Sequence, residues 1–285
     1  MVRIAFILLV SAYSSLAQEK PAYRIFTKDG KAGTFEMLIQ EAGRADVVFF
    51  GELHNNSIAH WLELQVMKEL FSRKGSVTLG MEMLEADDQL VLDEYMEGLI
   101  NEKQFLKEVK LWDNYSTDYR PLLGFARENK LRVIATNIPR RYANVVYKKG
   151  IDVLLTLTPE SKKWIAPLPI PIDLTLPGYK SMIDQMGRHE PSGGAENLAR
   201  SQAVKDATMA HFIVKNNRYP FLHVNGAYHS QNFEGIVWYV KQSDKKAKIV
   251  TLQLVEQKDI SQLEEKNKGL GDFIICVPDD MTKTY

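Results

Sequence analysis

Four apolar runs in this chain end abruptly in residues that can do chemistry. Val47-Val48-Phe49-Phe50 leads into Gly51-Glu52-Leu53-His54-Asn55-Asn56, and Tyr219-Pro220-Phe221-Leu222 leads into His223-Val224-Asn225-Gly226-Ala227-Tyr228-His229. Val77-Thr78-Leu79-Gly80-Met81 ends at Glu82, and Leu131-Arg132-Val133-Ile134-Ala135-Thr136 ends at Asn137. Parallel α/β sheets bind ligands in the crevice at the carboxyl ends of their strands. Read as strands, the four runs therefore bring Glu52, His54, Glu82, Asn137 and His229 to one place. Glu52 and His54 are two residues apart, so on an extended backbone they face the same way. Glu52, His54, Glu82 and His229 offer two carboxylates and two imidazoles, a donor set for Zn, Mn or Fe. The same groups could do general acid/base work without a metal, with Glu52, Glu82 and His229 as the catalytic residues. The structural alternative is that Glu52 caps a helix while His223 and His229 satisfy buried backbone groups.

Other candidates are more local. His60 and Glu63 share a helix face and read as a surface ion pair. Arg140 and Arg141, just past Asn137, could clamp a carboxylate or phosphate or form a solvated basic turn. Asp113 and Tyr115 could reach the pocket, with Trp112 as an anchor for a lid. Tyr179, Met182, Met186 and His189 form a stripe on one helix face. Tyr, Met and His all serve as axial ligands of haem iron, and Arg188 is near enough to pair with a propionate. A packing stripe explains the same spacing.

The elements that must carry these residues read as α/β. A helix capped by Asn56 or Ser57 and stopped near Gly75 joins the strands at Val47 and Val77, and this β-α-β order argues for parallel pairing. Pro121 opens a helix that leads into the strand at Leu131. Residues 86–109 have helical spacing. Ile151 to Leu155 is a short run that periodicity leaves open between strand and helix. Helices follow from Pro177 and from Glu196 to Lys215, and strands at Phe221, Ala247 and Phe273. The expected fold is a doubly wound, mostly parallel sheet. Helical insertions at about 86–125 and 150–215 would form a smaller subdomain or lid on a single 18–285 domain.

Arg3, the apolar run Ile4 to Val10 and the small-x-small site Ser15-Leu16-Ala17 predict an export signal over residues 1–17. The run is too short for a membrane anchor. No cysteine stands near the cleavage site to take a lipid, and the lone Cys276 lies in an apolar run, where it reads as a small buried hydrophobe. Lys plus Arg and Asp plus Glu both number 36, so charge gives no case for nucleic acid.

Gly51-Glu52-Leu53-His54, Gly80-Met81-Glu82-Met83, Asn137-Ile138-Pro139-Arg140, the run from Gln202 to Ala210 and Gly226-Ala227-Tyr228-His229 together resemble the ChaN-like haem-binding uptake proteins. That family shares a superfamily with Tiki and TraB proteins and erythromycin esterases. The resemblance spans about residues 30 to 255. It implies an α/β core with a smaller helical subdomain, export to the bacterial periplasm or envelope, and haem binding in iron acquisition. It also implies iron held by a tyrosine, for which Tyr179 is the positional candidate, and pairing of two chains around haem. Tyr179, Met186, Arg188, His189 and Arg140 are then the expected haem contacts. Tiki-like relatives imply a metal-dependent peptide or ester hydrolase, which Gly226 and His229 with Glu52 and Glu82 match. Haem binding and hydrolysis are the two expectations carried forward.

Overall fold

The computed structural model describes residues 20–186, 193–216, 218 and 220–285. The predicted signal segment, and Arg188 and His189, lie outside them. In chain order the elements are β1 (Arg24–Thr27), β2 (Ala32–Gly33), α1 (Phe35–Ala42), β3 (Val47–Glu52), α2 (Ser57–Lys74) and β4 (Thr78–Glu85). Then come α3 (Gln89–Glu97), α4 (Glu102–Glu108), α5 (Arg120–Glu128), β5 (Val133–Asn137), α6 (Arg140–Lys149), α7 (Pro177–Met186) and α8 (Gly194–Lys215). The chain finishes with β6 (Phe221–Gly226), α9 (Ile236–Ser243), β7 (Ile249–Gln257) and β8 (Phe273–Pro278).

The eight strands form one sheet in the order β2-β1-β8-β7-β3-β6-β4-β5. Every pairing from β8 to β5 is parallel; β1 runs antiparallel to β8 and to β2. All six residues of β3 are buried, as expected of a parallel strand covered on both faces. β3 and β4 are parallel, as the β-α-β order predicts, but they do not touch: β6 lies between them and pairs with both.

Alternation along the strands sorts the chemistry between two layers. Val48 and Phe50 pack with Leu62, Val66 and Leu70 of α2 and with Leu122 and Leu123 of α5. Val47 and Phe49 pack with Val204, Met209, Ala210 and Ile213 of α8 and with Ile236 and Val240 of α9. Glu52 continues the Val48–Phe50 series toward α2. On β4, Leu79 and Met81 face the α2 layer, so Glu82 faces the α8 layer.

The two expected insertions are largely parts of these layers. Phe105 and Leu122 belong to the α2-side core, and α8 is the main helix of the other side. The segment at Ile151 is a 3₁₀ helix, Ile151–Thr156, with no strand partner. Cys276 is a buried core residue.

Candidate functional site

A cleft of about 520 Å³ opens at the carboxyl ends of β4, β5 and β6, with His54, Trp112, Glu82, Tyr228 and His229 among its lining residues. Asn137, Arg140, Met182 and Lys205 also reach it. A wider groove of about 1300 Å³ runs along α5 with charges of both signs, and none of the strand-end residues lies in it.

His54 stands just past β3. Its Nδ1 donates to Glu52 Oε1 at 2.5 Å, and its ring packs edge-on to Trp112 with centroids 4.7 Å apart. Nε2 has no hydrogen-bond partner among the described residues. Gly226 makes room for this ring, since a Cβ there would sit 2.6 Å from His54 Nε2. Burial opposes the His54 cation, but the bond to Glu52 and the charges of Glu52 and Glu82 outweigh it and raise the pKa. Glu52 is fully buried behind His54 and also accepts from the Tyr119 hydroxyl at 2.6 Å. Burial pushes its carboxyl up, yet the bond from His54 and the facing His60 imidazole hold it well below the usual range.

On the α8 side, His229 Nδ1 donates to Asp206 Oδ1 at 2.5 Å, and Nε2 faces Glu82 Oε1 at 3.3 Å. Burial opposes its charge, but Glu82 and Asp206 carry the imidazole up to about 10. Glu82, pulled up by burial and down by His229, sits at about 2; its Oε2 accepts the Gly226 N–H at 2.8 Å. Asp206 Oδ2 accepts from the Tyr179 hydroxyl at 2.6 Å. His229 thus has Nδ1 committed to Asp206 while Nε2 faces Glu82 across a longer 3.3 Å gap, and the two carboxylates favour its charged form. His54 is the imidazole with a nitrogen open to the cleft.

The four residues expected to share a metal divide accordingly. His54, Glu82 and His229 line one cleft, while Glu52 lies behind His54. Their donor atoms do not gather tightly enough for one ion; strand parity sends Glu52 and Glu82 to opposite layers. The group that does gather is Glu52, His60 and Glu63, whose donor atoms all lie within 4.8 Å of one another. His60 and Glu63 are thus not a surface pair: they are 5% and 0% exposed, because the helix face they share is the one α2 turns to the sheet.

The tyrosine expectation also changes. Tyr179 is 3% exposed, and burial with the neighbouring Asp206 charge raises its pKa far out of reach of a phenolate. Its hydroxyl is committed to Asp206, so it does not present an iron ligand to the cleft. Met182 of the same stripe does line the cleft, and Met186 is half-buried at the last position of α7. Arg140 reaches the cleft with its guanidinium already bonded to Glu85 and to Lys110 O, and Arg141 pairs with Asp87 at 2.6 Å. Trp112 lines the cleft, whereas Tyr115 is buried in the α2-side core.

Three groups had no assigned role in the sequence reading: Asp206, Tyr119 and Asp118. Asp206 carried a readable signal, a lone acid in the Ala203–Ala210 stretch on the buried face of a long helix. Tyr119 and Asp118 sit in an irregular turn, Tyr115–Tyr119, where no periodicity shows which side faces inward.

The family described as haem-binding uptake, Tiki superfamily, ChaN matches residues 38–240. No curated protein matches significantly. Among solved structures, a ChaN of Campylobacter jejuni described as binding haem cofacially is similar with a TM-score of 0.69 at 19% identity. The similarity covers 89% of this chain and 96% of that one. An erythromycin esterase, EreC, in its open conformation gives 0.52 at 13% identity, covering 90% of this chain and 97% of its own. A Bacillus cereus protein gives 0.52 at 14% identity, covering 90% and 95%. These distant likenesses establish the shared α/β fold. The family match spans most of the chain, and the chain belongs to the ChaN family of haem-binding uptake proteins in the Tiki superfamily.

Proposed function

We propose that this chain binds haem in the strand-end cleft and serves haem or iron uptake as an exported protein of the bacterial periplasm or envelope. The observation that carries the reading is His54. Its Nδ1 is fixed by Glu52 while Nε2 is left unbonded beside a cleft of about 520 Å³. A carboxylate on the far nitrogen orients an imidazole and makes it a better metal ligand. Trp112, Ile138 and Met182 offer apolar surface to a porphyrin face. Lys205, which has no carboxylate partner among the described residues, and Arg140 offer cations to propionates. Bound haem would supply a redox-active iron. Pairing of two chains around haem belongs to the same reading.

Haemin titration of the purified protein tests it. The expected result is a saturable Soret band that weakens at least tenfold in affinity in His54→Ala, with a dimer in gel filtration of the loaded sample. An identical titration in wild type and His54→Ala would remove His54 from the reading.

A second reading, hydrolysis of a peptide or ester, is favoured by the Asp206–His229–Glu82 arrangement. His229, charged between two carboxylates, suits stabilisation of a developing oxyanion, and His54 suits proton abstraction from water. His229 Nδ1 is committed to Asp206, which leaves Nε2, facing Glu82 at 3.3 Å, as the nitrogen that serves this reading. Turnover of a chromogenic ester that is lost in both His54→Ala and His229→Gln would favour this reading.

A further inference from the structure

Beneath the cleft, on the α2 side of the sheet, His60 sits between two glutamates. Its Nδ1 is 3.3 Å from Glu52 Oε2 and 3.4 Å from Glu63 Oε2. Charge-assisted hydrogen bonds between nitrogen and carboxylate are shorter, about 2.7–2.9 Å. Donor atoms held at about 2.0–2.1 Å around a tetrahedral ion instead stand about 3.3–3.4 Å apart. Two buried carboxylate oxygens of the cluster, Glu52 Oε2 and Glu63 Oε1, have no hydrogen-bond partner. A buried acceptor left unpaired is costly, and both glutamates are almost wholly removed from solvent.

The surroundings hold each donor in place, as outer partners do around bound metals. His60 Nε2 is 3.3 Å from Asp118 Oδ2 and 3.1 Å from His54 O. Both are acceptors, so Nε2 carries a proton and Nδ1 is the nitrogen aimed at the glutamates. Asp118 is itself held by Asn114 Nδ2 at 2.7 Å and Thr284 Oγ1 at 2.8 Å. Glu52 Oε1 is held by Tyr119 and His54, which leaves Oε2 for the cluster. Glu63 Oε1 is the remaining uncommitted donor.

We propose that Glu52 Oε2, His60 Nδ1 and the Glu63 carboxylate hold one divalent transition-metal ion, of the zinc or manganese class, in the α2 layer. One imidazole and two carboxylates suit either ion. The site is separate from the cleft, where His54 and His229 stand, and it does not depend on the haem reading. Its role is to fix the Glu52 carboxylate that orients His54. An ion bound there takes the place of protons on the carboxylates and imidazole that hold it, and affinity weakens as pH falls.

The test is zinc and, separately, manganese titration of the chelator-stripped full protein, with content measured by elemental analysis. The expected result is one ion per chain in wild type and in His229→Ala, with less than a tenth of that in Glu63→Gln and His60→Asn, each checked for native circular dichroism. Anomalous scattering from zinc-loaded wild-type crystals needs no variant to fold and should give a peak within bonding distance of His60 Nδ1. No stoichiometric ion in wild type, equal loading in the Glu63→Gln variant, or a peak only at His54 and His229 would overturn the proposal.

Discussion

His54 and His229 line the same cleft but hold their protons differently. Each commits Nδ1 to a carboxylate, but Nε2 of His54 is open to the cleft whereas Nε2 of His229 faces Glu82 at 3.3 Å. The difference gives a pH signature. His229 stands at about 10 against an ordinary 6.5, so folding tightens its hold on a proton. That stability is complete below about 6.5 and is lost as pH rises through about 10. Glu82 stands at about 2 against an ordinary 4.5, so its contribution is complete above about 4.5 and is lost as pH falls through about 2. Removing the Asp206 charge with Asp206→Asn should lower His229 and make the alkaline loss of Tm shallower than in wild type. Thermal unfolding of metal-free protein between about pH 6 and pH 10 reads this directly; parallel alkaline slopes would count against the ion pair. At this scale the sequence showed which residue types gather at strand ends, because Glu52, His54, Glu82 and His229 interrupt apolar runs. It could not show that His229 is matched by Asp206, since that contact joins a strand end to the middle of a distant helix.

Among the elements, α2 contributes most to the chemistry relative to its length. It begins at Asn56, whose side-chain oxygen accepts from the N–H of Ile58 and Ala59 at 3.1 and 3.2 Å. It ends at Gly75, which takes the left-handed backbone that a glycine cap allows. His60 and Glu63 lie in its first two turns, so the cap sets the height at which they meet Glu52. Asn56→Ala should cost about 1 kcal/mol, within the usual range for losing such a cap. Urea unfolding checks it, and a change under a few tenths would mean that packing alone holds this end. Both ends of α2 were readable from Asn56, Ser57 and Gly75. Its inward face was not: Glu63 and His60 are polar, and an amphipathic reading assigns polar groups to solvent. They face inward because Leu62, Val66 and Leu70 fix the helix against Val48 and Phe50. The 3₁₀ turn at Ile151 was ambiguous for another reason, since a short apolar run fits either a strand or a helix.

For the whole molecule, local pattern foretold a mostly parallel α/β sheet and the direction in which its strands deliver their ends. It did not foretell that β6, from far along the chain, would insert between β3 and β4. Strand pairing is a non-local choice, and Phe221-Leu222 carries no mark of its neighbours. That insertion sets His223, Asn225 and His229 beside Glu52 and Glu82, so the cleft depends on topology rather than on any one motif. The first strand in the chain is β1, Arg24–Thr27, which pairs antiparallel with β8 through Arg24 and Cys276 down to Thr27 and Phe273. A cut after Ala17 would leave this pairing and every helix cap intact. No helix among the described residues is long and apolar enough to cross a membrane. Export with cleavage after Ala17 therefore predicts a mature protein that begins at Gln18 and unfolds at the same Tm as a chain expressed from Gln18 onward. Intact mass of protein recovered from an envelope fraction, followed by thermal unfolding of both forms, checks it. Recovery of soluble cytoplasmic protein that still carries Met1 would rule the export reading out. A lower Tm for the chain begun at Gln18 would show that residues 1–17 contribute to the fold.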